Sequence, residues 1–163
     1  MDFTDALINE FGNSLTESIS QDQFNMIQPG DIIIVRYFEV NSHRESKREP
    51  HPMLVVHKSQ NEVYGFGFDH EDNNPNFSIF KVQVQDWQNA GLRQQSWINL
   101  TTQRNVKPAF IGAKSDKDNP VKGHLSTRDL ESLIERIKLI SIVKAYNLNY
   151  SIVKTELNLK NIK

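Results

Sequence analysis

The order of apolar and polar positions divides the chain into three parts, of which the first looks helical. Over residues 1–25, apolar side chains recur mostly every three or four residues, which is typical of one face of an amphipathic helix. This face packs on the rest of the domain or, alternatively, enters a groove of a partner. Pro29-Gly30 then breaks the chain before the first strand. The apolar positions are Phe3, Leu7, Ile8, Phe11, Leu15 and Ile19.

Residues 30–113 have the pattern of short strands separated by turns. Glycines at 65 and 67 fall inside the third apolar run, and glycine within a strand predicts a bulge or a close approach of two backbones. Residues 86–91 read as a short helical turn ended by glycine. Short strands with turns between them favour a small barrel or a strongly bent sheet. The predicted strands are 32–37, 53–57, 63–68, 77–84, 96–100 and 106–112.

The last part is predicted to be helical. Ser126 and Asp129 fit a relaxed capping box, and the apolar residues that follow recur with helical spacing to about residue 146. The tail from 149 to 163 alternates only loosely and is read as a second helix or as partly disordered. We therefore expect a mainly β fold with added helices: an N-terminal extension over 1–28, a barrel with its helix over 29–146, and a tail over 147–163.

Composition narrows the function classes. A length of 163 residues favours one domain, and a net charge of −1 means that any contact with nucleic acid needs a local basic patch. The absence of cysteine excludes disulfides, thiol nucleophiles and cysteine-ligated zinc. No basic segment precedes an apolar run at the N-terminus, and no apolar run approaches the ~20 residues of a membrane span. We expect a cytoplasmic protein that does not bind a membrane.

A charged segment over residues 38–51 separates the first two predicted strands. It holds three acidic and three basic residues together with His43 and His51, so it is too polar for the core. A loop this long in a compact domain is usually functional or disordered. Either it carries the activity, or it is a solvated connection.

Several motifs occur in an order that resembles one known family. They are Gly30-Asp31 before the first strand, Pro52 opening the second, residues 86–92 with 96–98, and Gly123-His-Leu-Ser126 before the last helix. Over about residues 29–140 the chain resembles the PemK/MazF toxins of bacterial type II toxin–antitoxin pairs. The resemblance implies an SH3-like barrel with a C-terminal helix, a homodimer, and growth inhibition by an endoribonuclease that needs no metal or cofactor. It also implies cleavage of single-stranded RNA by 2′-OH attack, and an antitoxin protein whose tail covers the active groove.

The resemblance also indicates the catalytic residues. Members usually have arginine directly before the proline of the second strand, where this chain has His51. An imidazole can act as base or acid near neutral pH, and Arg48 or Lys47 can supply the missing cation. Glu45 lies where some members have an acidic residue. The candidate catalytic residues are therefore His51, Arg48 and Glu45.

The family's second active position is often a threonine or serine at the end of the third strand. Here Asp69 and His70 stand there, and the next hydroxyl is at Ser78. We expect Lys47, Asp69, His70 and Ser78 to contact RNA. The two departures leave open a catalytically weakened domain that binds protein or nucleic acid through the same groove. A third alternative is a regulator whose N-terminal helix covers its own groove.

The two tryptophans, Trp87 and Trp97, are first read as residues of the barrel core or of a dimer contact. An aromatic side chain in a groove can instead stack on a nucleotide. The polar run over residues 70–74 has oxygen side chains at close spacing but not the spacing of a calcium loop, so it is read as a solvated turn. No metal site is expected.

Overall fold

The computed structural model describes residues 19–36, 50–70, 79–112 and 118–143, with side chains up to Ile140. Several predictions lie outside these residues. They are residues 1–18 of the predicted N-terminal helix, residues 38–49 of the charged segment with Glu45, Lys47 and Arg48, the position of Ser78, and the tail over 147–163.

The described residues form a six-stranded antiparallel sheet with two helices, which confirms a mainly β fold with added helices. The order across the sheet is β4-β5-β3-β2-β1-β6, and no pairing of β4 with β6 is found in the described part of the chain, so a closed barrel is not confirmed. The strands are β1 Asp31–Arg36, β2 Pro50–Lys58, β3 Val63–Asp69, β4 Lys81–Gln83, β5 Trp97–Val106 and β6 Val121–His124; the helices are α1 Gln21–Met26 and α2 Thr127–Val143.

Both faces of the sheet carry an apolar cluster, because successive side chains of a strand point to opposite faces. In β2, Leu54 and Val56 belong to a cluster with α2, which we call the helix-side cluster. Met53 and Val55 belong to a second cluster, which contains Phe24 of α1. All four side chains in β2 are fully buried. This burial on both faces explains why the strands read as nearly continuous apolar runs.

The glycines of β3 do what the sequence predicts. A Cβ on Gly65 would lie 1.8 Å from the carbonyl oxygen of Leu54, so only glycine allows this approach of β2. The register between β2 and β3 shifts at Val55–His57, and that between β3 and β5 shifts at Phe66–Gly67. The predicted bulge and the predicted close approach are both confirmed.

Two strand predictions were wrong. The sequence predicts separate strands over 96–100 and 106–112, but a single strand, β5, covers Trp97–Val106 and a 3₁₀ turn follows at Pro108–Phe110. The polar run from Thr101 to Asn105 does not have the pattern of a strand, because these side chains are half-buried or exposed. Gln103, Arg104 and Asn105 nevertheless pair with β3. The predicted strand over 77–84 is shorter in the described residues, where only Lys81–Gln83 is extended.

The predicted helical turn over 86–91 draws the two ends of the sheet together. Ala90 N donates to Asp86 O, and the turn ends at Gly91 with φ +80°. A Cβ on Gly123 of β6 would lie 1.8 Å from Ala90 O, so the turn after β4 touches the strand at the opposite edge. The turn therefore connects the β4 edge of the sheet to β6 at the opposite edge.

Helix α1 is held at both ends. The Ser20 hydroxyl accepts from Gln23 N at 3.1 Å, and the Gln23 side chain accepts from Ser20 N at 2.9 Å, which completes a capping box. At the other end, Lys58 Nζ donates to the carbonyl oxygens of Phe24 and Ile27 at 2.8 and 2.9 Å. A lysine of β2 thus satisfies carbonyls at the end of the helix.

Helix α2 begins with half of the predicted capping box. Asp129 N donates to Ser126 Oγ at 3.2 Å, as expected. The Asp129 carboxylate does not complete the box; it is fully buried and accepts from Gln85 N at 2.8 Å and Asp86 N at 2.9 Å. Further along α2, Arg136 Nη1 donates to the carbonyl oxygens of Ile79 and Lys81 at 3.0 and 2.8 Å. The helix therefore holds both the turn and the residues of β4.

We predict that Asp129→Asn lowers the free energy of unfolding by about 1–3 kcal/mol, because one buried backbone N–H would face an amide that donates rather than accepts. The measurement is urea unfolding followed by circular dichroism. Glu135→Gln is the matched control, since it makes the same chemical change at an exposed position of the same helix. Equal midpoints for the two variants would contradict this role of Asp129.

An ion pair joins β6 to the start of β1. His124 Nδ1 lies 2.7 Å from Asp31 Oδ1, and Asp31 Oδ2 accepts from Gln28 N at 2.7 Å. The hydrogen bond to Asp31 raises the pKa of His124 above its ordinary 6.5, although partial burial opposes the rise. The imidazole lies against Gly30, where a Cβ would be 2.7 Å from its Cε1 atom.

The pair makes stability depend on pH. The contribution of His124 is complete below pH 6.5, the pKa of the unfolded chain, and is lost as the pH rises through the higher pKa of the folded chain. We expect the urea midpoint of the wild type to fall from pH 6 to pH 9 relative to that of His124→Gln. The difference should be small, because the His124 side chain is 53% exposed and solvent screens the pair. A constant difference between the two proteins at every pH would rule out this linkage.

Candidate functional site

Two of the predicted site residues stand at the same end of neighbouring strands. Met53 of β2 is paired with Gly67 of β3. His51 comes two residues before Met53, and Asp69 comes two residues after Gly67, so both lie at the same end of the antiparallel pair. The alternation of side chains places both on the sheet face of the second cluster. His51 is exposed and belongs to β2, opposite Val35, because the strand begins earlier than predicted. His70 follows β3 and is exposed.

Asp69 is the centre of a polar network. Its Oδ2 atom lies 3.1 Å from Lys81 Nζ and accepts from Asn99 Nδ2 at 2.8 Å. Asn99 Oδ1 in turn accepts from the backbone N of Thr101 at 3.0 Å and from its hydroxyl at 2.6 Å. Because the Asn99 oxygen is occupied by these two donors, its amide nitrogen faces Asp69. The network therefore fixes the position of the carboxylate.

A bulge in β5 builds this arrangement. The pairing with β3 passes from Phe66–Gln103 to Gly67–Asn99, so residues 100–102 are extra in β5. Thr102 Oγ1 accepts from Gly67 N at 2.8 Å and donates to Asn99 O at 2.8 Å. A Cβ on Gly67 would lie 3.0 Å from that hydroxyl. The threonine occupies the space left by glycine and keeps Asn99 beside Asp69.

We call His51, Asp69, Asn99 and Lys81 the polar row, because they cross β2, β3, β5 and β4 on one face of the sheet. The row offers an imidazole for proton transfer and an ammonium group held by a carboxylate. The Lys81 side chain is only 10% exposed and that of Asp69 is 34% exposed, so their ion pair is partly shielded from solvent. Such shielding strengthens the attraction between the two charges.

Sequence reasoning missed most of the row's partners. Lys81, Asn99, Thr101 and Thr102 were not singled out, although Asn99 alternates with the apolar residues Ile98 and Leu100. That alternation was the available signal, since a polar residue within an apolar strand lies on the opposite face. The contact of Lys81 with Asp69 depends on strand order, which the sequence did not reveal.

A separate open depression lies between α1 and the turn from β2 to β3. It is lined mainly by amide and hydroxyl side chains, and its cation, Lys58, donates to the carbonyl oxygens of α1. Burial lowers the pKa of Lys58, while the nearby charge of Asp31 opposes the shift. We therefore assign this lysine a structural role. The lining residues are Gln21, Phe24, Asn25, Lys58, Ser59, Gln60 and Asn61.

Within the described residues, no group of three or more histidine, aspartate or glutamate side chains is placed to hold a metal ion. The same part of the chain contains no helix that is long and apolar enough to cross a membrane.

No protein-family model matches the chain, and no curated protein matches its sequence.

Proposed function

We propose that this protein is an endoribonuclease of the PemK/MazF toxin type, with an SH3-like barrel whose active groove lies along the polar row. The observation that carries the proposal is the placement of His51 and Asp69 at one end of adjacent strands. These are the two positions that the sequence resemblance marks as active. Homodimerisation, control by an antitoxin and a cytoplasmic location belong to the same proposal.

The proposed reaction is attack of a ribose 2′-OH on the adjacent phosphate. It forms a 2′,3′-cyclic phosphate, while the leaving 5′ oxygen takes a proton. The reaction needs a base, an acid, and positive charge near the pentacoordinate phosphorus. His51 is exposed and is proposed to transfer a proton. Arg48 and Lys47, which precede it in the chain, are proposed to supply the positive charge. Glu45, which comes before them in the sequence, is proposed to belong to the same catalytic set.

One observation favours the alternative, a domain that binds nucleic acid or protein through this face without cutting RNA. Lys81 is the cation of the row, but it lies 3.1 Å from Asp69 and is almost buried. A lysine neutralised in this way contributes little positive charge to a phosphorane. In this alternative Asp69 and Lys81 shape the groove, and the bound strand stays intact.

We predict that the purified chain cuts a labelled single-stranded RNA in the presence of EDTA and leaves 2′,3′-cyclic phosphate ends. His51→Ala should lower the cleavage rate about 100-fold, which is typical for loss of a general acid or base. Lys122→Ala is the control, because Lys122 is exposed on β6 and lies outside the proposed groove. The same comparison in cells measures growth arrest on expression, which His51→Ala should relieve.

The outcomes separate the two functions. RNA that is bound but intact, together with normal growth, would support the binding domain and contradict the nuclease. If the RNA is neither bound nor cut, both the nuclease and a domain that binds nucleic acid are contradicted. If His51→Ala cuts RNA as fast as the wild type does, His51 is not a residue of the active site.

A further inference from the structure

Trp97 lies apart from the core, in contrast to the other tryptophan. Trp87 packs against the helix-side cluster, whereas Trp97 belongs to neither apolar cluster of the described residues. Its neighbours in β5, Ile98 and Leu100, are fully buried on the helix side. The alternation of the strand therefore puts the half-buried Trp97 on the face of the polar row.

The residues around Trp97 are polar. Asp69 of β3 and Gln83 of β4 are its paired neighbours on the two sides, and Asn99 is the next residue of β5 on the same face. Side chains paired in this way have Cβ atoms about 4.5–5.5 Å apart. Gln83 is exposed; its amide oxygen accepts from Gln85 Nε2 at 3.4 Å, and its amide nitrogen presents a donor beside the indole. A large aromatic surface thus borders groups that form hydrogen bonds.

This combination selects a particular class of ligand. An apolar protein surface laid over Trp97 would bury the amide nitrogen of Gln83 without an acceptor, which is unfavourable. An unpaired nucleobase has an aromatic face and a polar edge, so it can stack on the indole while its edge meets the amide. The surface formed by Trp97 and Gln83 therefore suits a base better than an apolar partner.

We propose that Trp97 stacks on an unpaired base of single-stranded RNA, with Gln83 at the edge of that base. The proposal rests on the proposed function in taking RNA as the ligand, but it does not depend on cleavage. Trp97 and His51 are separated by two strand spacings, on the order of 10 Å. The stacked base therefore flanks the phosphate at His51.

The first test uses the full chain with fluorinated tryptophan at both positions and ¹⁹F NMR, with Trp97→Phe to assign the signals. The probe is a single-stranded RNA with 2′-O-methyl groups, which blocks attack by the 2′ oxygen. The Trp97 signal should move on addition of this RNA while the Trp87 signal stays in place. A strand of the same length without bases should move neither signal, because it offers phosphate charge but nothing to stack.

The second test measures affinity for the same RNA. Trp97→Leu should weaken binding by about 5- to 100-fold, the range expected for loss of one stacked base. Trp97→Phe should retain most of the affinity, and Lys122→Ala should leave it unchanged. If Trp97→Leu does not fold, the fluorine measurement on the native chain decides.

The results distinguish this inference from the proposed nuclease. A moved Trp97 signal with an uncut unmodified RNA supports stacking and contradicts cleavage by His51. Cut RNA with an unmoved Trp97 signal supports the nuclease and overturns stacking. A dimer that Trp97→Leu converts to a monomer, with unchanged RNA affinity, also overturns it, because Trp97 would then be a contact between two copies of the chain.

Discussion

The buried carboxylate of Asp129 is the contact on which the described fold most depends. It caps two backbone N–H groups of the turn after β4 and stands in the first turn of α2, where a negative charge is favourable. The same turn touches β6 through Ala90 and Gly123. Asp129 therefore connects the main helix to the turn that meets β6 at the other edge of the sheet. These contacts connect the two edges of the sheet, because strand pairing does not join β4 to β6 among the described residues.

The sequence predicted the parts of this fold that local patterns encode. Apolar runs located β1, β2 and β3, helical spacing located α2, and the glycines of β3 marked the register shifts. It failed where tertiary pairing overrides local polarity. The residues from Thr101 to Asn105 are polar, yet they belong to β5, in which Gln103, Arg104 and Asn105 pair with β3. The sequence did not predict β6 either, because this strand has only 4 residues and every second one is exposed.

The candidate site was predicted only in part. Family resemblance singled out His51 and Asp69, and the register places them at the same end of adjacent strands. The partners of Asp69 come from β4 and β5, which lie beyond it across the sheet. No spacing along the chain links Lys81 to Asp69, since the strand order is set by the whole sheet. A sequence therefore reveals the residue of a site more readily than the contacts that hold it.

The bulge of β5 divides that strand into two halves that can vary separately. Before it, odd-numbered residues share the face of the polar row; after it, even-numbered residues such as Val106 join the second cluster. The extra residues 100–102 account for this change from odd to even positions on the same face. A substitution in the polar row therefore does not alter which side chains enter the core. Comparison of this chain with a distant relative should therefore align β5 in two pieces, with a gap allowed at the bulge. An alignment that treats β5 as one rigid strand would pair residues of the polar row with core residues and hide a true relationship.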